Sequence, residues 1–447
     1  MDNKSTTSGL PMLSRSMIWM INFGFLGVQT AFTLQSSQMS RIFQTLGADP
    51  NNLGWFFILP PLAGIIVQPI VGYYSDRTWA PKLGGRRLPY LILGTIVAVI
   101  VMILLPNSGS FGFGYGSLAA LWFGAVTVAF LDLSSNVAMQ PFKMMVGDMV
   151  NDKQKSYAYG IQSFLSNTGA VLAAIFPFLL TWFGVANTAK KGVVPQSVVI
   201  AFYVGAALLV VTSLFTILRV KEYDPATYAK YHGISESDNS EGGNWLTLLK
   251  QAPKAFWTVT LVQFFCWFAF QYLWTYSAGA IAQNVWHTTN ATSAAYQAAG
   301  NWYGVLAAVQ SIAAVVWSYV LAKVPNQYHK VGYAGSLLLG AVGFLSVFFI
   351  HNQYALIISY ALVGIAWAGM NTYPLTIVTN ALSGKHMGTY LGLFNGSICL
   401  PQIVASVFSF ALFPMLGGSQ VNMFLLAGIV MVIGALSVAT IKETHQA

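Results

Sequence analysis

Two polar residues four positions apart, Asp132 and Asn136, stand in the middle of an otherwise apolar stretch, AVTVAFLDLSSNVAMQPFKMMVGD, residues 125–148. In a helix that spacing puts both side chains on one face, one turn apart. A carboxyl group at bilayer depth is expensive to place and is by default a functional group facing a cavity or the bundle interior. It can take up and release a proton, and a water or hydroxyl that reaches it changes how tightly that proton is held. The neighbouring amide offers both donors and an acceptor, which suits an uncharged, hydroxyl-rich ligand. Of the 12 acids, the other 11 lie at the ends of apolar runs, in polar segments or near the termini, and the six His (232, 287, 329, 351, 386 and 445) are placed likewise. Asp132 is therefore the one proton carrier near midplane. It has no second acid, His or nucleophile with its base beside it, so no catalytic residue is read here and an enzyme is disfavoured. Nor does the chain offer a metal-ligand set or a cofactor motif.

Further candidates for a ligand site are the amides Gln29, Gln35, Gln263, Asn371 and Asn395, with Gln68, Gln162, Asn167, Gln271, Gln310 and Gln402 as additional polar groups inside apolar runs. Any single one of these is more often a helix-to-helix tie. Aromatic rings supply flat apolar faces for a cyclic, hydroxyl-rich ligand, and of the many in 264–276 and 367–373 we single out Trp267 and Tyr373. A separate cluster, Asp76, Arg77, Lys82, Arg86 and Arg87, is packed into the short polar turn GYYSDRTWAPKLGGRRLP, residues 72–89. Cations this dense need acidic or helix-end partners, and we read Asp76, Arg77, Arg86 and Arg87 as a conformational latch.

The elements that must position these groups are membrane helices. With 56% hydrophobic and 7% charged residues in 447, the chain departs from soluble composition, where about a quarter of residues are charged. Alternating strand patterns are absent, which disfavours a barrel. Twelve apolar runs are placed at roughly 17–43, 52–75, 88–106, 117–145, 157–183, 197–219, 254–281, 300–322, 331–350, 354–380, 387–412 and 421–441, each long enough to span a bilayer. The N-terminal segment carries no small-residue cleavage pattern, so the first run is read as a retained helix. With both termini cytoplasmic, 18 of the 21 Lys and Arg fall on the cytoplasmic side and only Arg41, Lys190 and Lys191 fall outside, which selects that orientation. The same placement explains the net charge of +9 without nucleic acid. Cys266 and Cys399 read as buried free thiols.

The expected fold is all-α and integral to the membrane: twelve transmembrane helices in two pseudo-symmetric six-helix bundles. The bundles are 1–219 and 254–447, joined by a polar cytoplasmic linker, 220–253. Val28-Gln29 lies against Val262-Gln263 at an offset of 234 (262 minus 28), and DKQKSYAYGIQ (152–162) lies against GKHMGTYLGLF (384–394) at 232 (384 minus 152). Near-constant offsets are the mark of a duplicated unit, and parallel six-helix repeats place a substrate site between them near midplane.

The turn at 72–89, with Gly, three residues, Asp-Arg and then Gly-Arg-Arg, resembles the signature of the major facilitator superfamily. Its longer spacer, within VQPIVGYYSDR (67–77) and GRRLPYLILG (85–94), resembles the proton-coupled sucrose transporters of plants and their animal and bacterial relatives. So do TLQ (33–35), LDLSSN (131–136) and LGLFNGSICLPQIVAS (391–406). The resemblance implies a plasma-membrane symporter, functional as a monomer, that imports a disaccharide or glucoside such as sucrose or maltose with a proton. It implies that Asp132 is the coupling acid, with Asn136 and Gln35 at the matching family positions. The related melibiose-type glycoside-pentoside-hexuronide cation symporters keep sodium-holding acids on their second helix. Here that helix has none before Asp76, which favours a proton. A proton-coupled exporter of other small molecules and a non-transporting sugar sensor are the competing expectations. The exporter calls for a more apolar cavity, and the sensor for a long soluble extension.

Overall fold

The computed structural model describes residues 10–232, 245–321, 323–325, 328–381 and 387–441. Twelve helices or helix pairs in it are long and apolar enough to cross a membrane. The first bundle comprises α1 (Arg15–Leu46), the pair α2 (Leu53–Phe57) and α3 (Leu59–Arg77), α4 (Leu88–Leu104), α5 (Leu118–Met149), α6 (Asp152–Trp182) and α7 (Gln196–Arg219). Two short helices follow, α8 (Pro225–His232) and α9 (Trp245–Lys250), and the stretch 233–244 between them lies outside the described residues. The second bundle comprises α10 (Lys254–Val285), α11 (Ala294–Leu321), α12 (His329–Phe349), α13 (Leu356–Ala381), α14 (Met387–Met415) and α15 (Gln420–Ser437). No β-strand occurs among the described residues; in hydrocarbon, a helix satisfies every backbone N–H and C=O within its own segment. The ends are set by ordinary local chemistry. Ser14 and Ser117 cap the starts of α1 and α5, and Gly47, at a left-handed φ of 101°, stops α1.

Within the first bundle α1 packs on α5, α6 and α7; within the second α10 packs on α14 and α15, and α13 on α11 and α12. Between bundles α6 meets α11, α3 meets α14 and α1 meets α10. The first two contacts pair the fifth span with the eighth and the second with the eleventh, the same two elements with their bundles exchanged, as a two-fold repeat requires. Contact is close at α6 and α11, where a Cβ on Gly304 would come 2.2 Å from the Ala174 carbonyl oxygen.

Proline decides where the helices yield. The second span is divided at Ile58, just before Pro60 and Pro61. Pro61 has no N–H to give the Phe57 carbonyl four residues back, so that oxygen is freed. Gln271 Nε2 on α10 takes it at 2.7 Å, crossing from the other bundle. Pro374 in α13 frees the Met370 carbonyl in the same way, and Gln263 Nε2, two turns before Gln271 on α10, donates to it at 3.2 Å.

The two ends of the molecule differ. We call the end where α1 begins and α15 finishes the terminal end, and the opposite one the distal end. Hydrogen bonds between described residues of the two bundles gather toward the distal end: Ser40 to the Thr275 carbonyl, Gln44 with Gln420, Gln297 to Thr45, Asn301 to Thr181, and Arg41 to both Gln297 and Asn301. At the terminal end the bonds found among the described residues stay within a bundle, as between Gln154 and Leu13 or Lys330 and Ile441. There Gly147 of α5 and Gly396 of α14 have open space where a side chain would stand. Among the described residues, the two bundles are tied to each other by side chains at the distal end.

Candidate functional site

Asp132 sits near the middle of α5, and only 1% of its surface is exposed. Both carboxyl oxygens accept hydrogen bonds: Oδ1 from Gln35 Nε2 of α1 at 3.5 Å, and Oδ2 from Asn136 Nδ2, one turn along α5, at 2.9 Å. Asn136 Nδ2 also donates to the Asp132 carbonyl at 3.0 Å, which fixes its rotamer. Gln35 is likewise buried, at 2% exposure, and its Oε1 has no hydrogen-bond partner in the protein. Two donors on the two oxygens suit an ionised acid. A protonated acid needs an acceptor for its O–H, and the unpartnered oxygen of the same Gln35 amide supplies one when the amide turns over. Oxygen and nitrogen of an amide are assigned from such networks, and here both assignments have a use. No cation pairs with Asp132 among the described residues, whose ion pairs lie at the Arg-rich turn.

Across the bundle boundary, Cys399 of α14 lies within electrostatic range of Asp132, and Asn395 Nδ2 reaches the Cys399 sulfur at 3.9 Å. The fold brings Asp132 and Asn136 of α5 together with Gln35 of α1. Gln29 is half-buried, six residues before Gln35 on α1, and bonds Thr33 at 3.4 Å. Trp267 is buried edge-on to Trp367 with ring centroids 5.5 Å apart, and its indole N–H has no partner in the protein. Asn371, one turn past Trp367, is exposed, with its amide folded back on the Trp367 carbonyl at 2.7 Å.

Two of the expected ligand residues are placed elsewhere. Gln263 spends both ends of its amide inside the second bundle, mending the Pro374 break and accepting from the Tyr333 hydroxyl at 3.2 Å. Tyr373 packs on His329 and Tyr333 of α12, with centroids 5.0 and 6.0 Å away, so its ring faces a neighbouring helix. Sequence reasoning also passed over Lys143. It lies eleven residues, three helical turns, past Asp132 (143 minus 132) on nearly the same face of α5, exposed toward the terminal end.

The Arg-rich turn is built around acids that the sequence pattern did not pair with it. Asp148, at the end of α5, accepts from Arg86 Nη2 and Arg87 Nε, both at 3.0 Å, and Arg87 also bonds Ser75. The Arg86 guanidinium lies 3.7 Å over the ring of Tyr228 in α8, whose hydroxyl donates to Asp148 at 3.3 Å. Glu222, just past α7, accepts from the Arg87 and Leu88 backbone N–H groups at 2.8 and 2.9 Å, capping α4 at its positive end. Gly85, at φ 153°, lies directly against Glu222 and leaves no room for a side chain. Burial pushes the Glu222 carboxyl above the usual range, against the pull of those N–H bonds. Arg77 is exposed, and the Asp76 side chain lies outside what the structure describes. The turn therefore ties α3, α4 and α5 of the first bundle to α8 and Glu222 of the linker.

The family model of the Major Facilitator Superfamily matches residues 21–406. The chain belongs to that superfamily. It is a transporter, not an enzyme. Among curated relatives it is similar to the sucrose transport protein SUC4 of Arabidopsis thaliana, 21% identical over 85% of this chain and 81% of that one. It is also similar to the sucrose transport protein SUT5 of Oryza sativa, 24% identical over 85% of this chain and 79% of that one. Among solved structures, the nucleoside transporter NupG superposes with a TM-score of 0.67 at 13% identity, covering 96% of this chain and 100% of the other. A D-xylose-proton symporter does so with a TM-score of 0.70 at 13% identity, covering 96% and 98%. At such identities the superpositions show the fold.

Proposed function

We propose that this member of the superfamily imports a neutral sugar, a disaccharide or glucoside such as sucrose or maltose, together with a proton, by alternating access. The observation that carries the reading is the Asp132 cluster: a fully buried acid near the middle of α5, held among the described residues only by amides, one of which has a free oxygen. Asp132 takes up its proton from the outer side and gives it to water on the inner side as the sugar leaves. Gln35, Asn136 and Asn395 offer donors and acceptors to hydroxyls, and Trp267 with Trp367 offers flat apolar faces. A neutral solute is then driven by the potential as well as the pH gradient, since each proton carries about 2.3 kcal/mol per 100 mV.

With the termini in the cytoplasm of a plasma-membrane protein, as the Lys and Arg distribution favours, the terminal end is cytoplasmic and this conformation faces inward. Asp76, Arg77, Arg86 and Arg87 act as the latch of the inner side, in a protein that works as a monomer. Similarity to sucrose transport proteins supports the solute class. The test is uptake into proteoliposomes with a panel of sugars, under a proton gradient, a sodium gradient or neither, reading external pH. Alkalinisation of the medium with one sugar class and no response to sodium is the expected result. Sodium-driven uptake, or none with any sugar, overturns the proposal.

A further inference from the structure

Arg41, which the latch does not use, is a fully buried cation in the last turns of α1. Its guanidinium donates to four amide oxygens: Nε to Gln297 at 2.7 Å, Nη1 to Asn301 at 2.7 Å and Gln38 at 3.4 Å, and Nη2 to Asn187 at 2.7 Å. Gln297 and Asn301 are successive turns of α11 in the second bundle, whereas Gln38 and Asn187 belong to the first. The partners are themselves held, Gln297 by donating to Thr45 and Asn301 by donating to Thr181, so both acceptors point inward at the cation. Gly300 between them is where α11 passes the Arg41 stem, since a Cβ there would stand 2.7 Å from Arg41 Cδ. Among the described residues no carboxylate pairs with Arg41.

We propose that Arg41 is the bolt of the distal gate, and that its lack of a counter-ion is what lets the bolt slide. The inference rests on the reading that the two bundles alternate. A forked donor bonded to both bundles fixes their closed register, because parting them breaks the α11 bonds together. A buried cation met only by neutral oxygens keeps much of its desolvation cost, and that cost is relieved when the distal end opens and water reaches the guanidinium. Directional bonds hold the gate shut while lost hydration loads it toward opening. An acid in place of one amide oxygen removes the load and over-tightens the closure.

The test uses two single-cysteine reporters in the full chain in detergent, without sugar or gradient, labelled with a water-soluble maleimide. Peptide mass spectrometry scores the native Cys266 and Cys399 separately. Thr275→Cys reports the distal end, where its backbone meets Ser40, and Gly147→Cys reports the open terminal end. Arg41→Met should raise the rate at position 275 roughly tenfold and lower it at 147, the size expected for losing a charge-assisted bond. Asn301→Asp loses the N–H given to Thr181, whose hydroxyl can turn from the Pro177 carbonyl to donate to the new carboxylate, and it should do the reverse at both positions. A protein that is merely loosened labels faster at both, and that result, or unchanged rates, or distal opening in Asn301→Asp, overturns the proposal. Because neither sugar nor proton enters the assay, a failed gate is told apart from a failed assignment of solute or ion.

Discussion

Asp132 and Arg41 are both ionisable groups buried in the first bundle, and both are surrounded by amides with no opposite charge among the described residues. Their partners differ in origin. Arg41 is bonded across the boundary by Gln297 and Asn301, whereas the two donors to Asp132, Gln35 and Asn136, belong to its own bundle. A group bonded across the boundary has to let go whenever the bundles part. A group bonded within one bundle is carried intact through that motion and keeps its capacity for a ligand or a proton. The comparison separates the gate from the coupling site without reference to where either lies along the chain.

The most severe way to test this division is Asp132→Asn. The side chain keeps its shape and loses its proton chemistry, so gradient-driven accumulation in proteoliposomes should fall to simple equilibration while counterflow exchange of the sugar persists. Undiminished accumulation would remove Asp132 from coupling. Next in size is the inner latch. Arg87→Ala should slow cycling by roughly tenfold, the rate equivalent of one charge-assisted hydrogen bond, because it removes from the latch that closes the inner side a cation whose side chain here ties Ser75 to Asp148. Arg86→Ala should slow it less, since its ring contact with Tyr228 lies nearer the surface. Sugar affinity should stay nearly constant in both, and a loss of binding in place of rate would make the turn part of the site.

A finer cut compares two glutamines doing one job. Gln271 and Gln263 each mend a carbonyl freed by proline, but the first reaches Phe57 in the other bundle and the second reaches Met370 in its own. Replacing either by Leu leaves a buried acceptor bare, at about 1–3 kcal/mol, and should lower the melting temperature in both variants. Only Gln271→Leu should alter transport rate, because only that bond spans the boundary. Equal transport in the two variants would break the rule that crossing bonds belong to the gate.

Much of this was legible in the sequence. The twelve spans, the shared face of Asp132 and Asn136 and the crowding of the Arg-rich turn follow from hydropathy, periodicity and charge density, which are local properties. Pro60 and Pro61 also mark a site of backbone weakness in the second span. What stayed hidden depends on which distant segments meet. Arg41 looked like an exception to charge topology because Gln297, Asn301 and Asn187 approach it only once the bundles fold. Asp148 and Glu222 read as ordinary polar ends of helices until the turn closed on them. Gln263 looked like any other intramembrane amide, since nothing local shows that Pro374, 111 residues later (374 minus 263), leaves a carbonyl for it. An amide's type fixes what it can bond, and the packing fixes what it does.

The smallest expected effect concerns Glu222, whose bonds join the linker to the start of α4 without reaching the second bundle and should therefore touch stability more than gating. Burial raises its carboxyl pKa above that of the unfolded chain, with the Arg87 and Leu88 N–H groups opposing the shift only in part. The folded protein thus holds this proton more tightly than the unfolded one. The stability contributed is fully present below the ordinary carboxyl pKa and is lost as pH rises through the raised folded value. Glu222→Gln keeps an oxygen for the α4 cap and removes the titration. The melting temperature of the wild type relative to Glu222→Gln should therefore rise as the pH is lowered from neutral toward the ordinary carboxyl range, by a few degrees at most in a chain of this size. A gap that instead widens toward alkaline pH would mean that the N–H bonds outweigh burial and that the cap works as a carboxylate throughout.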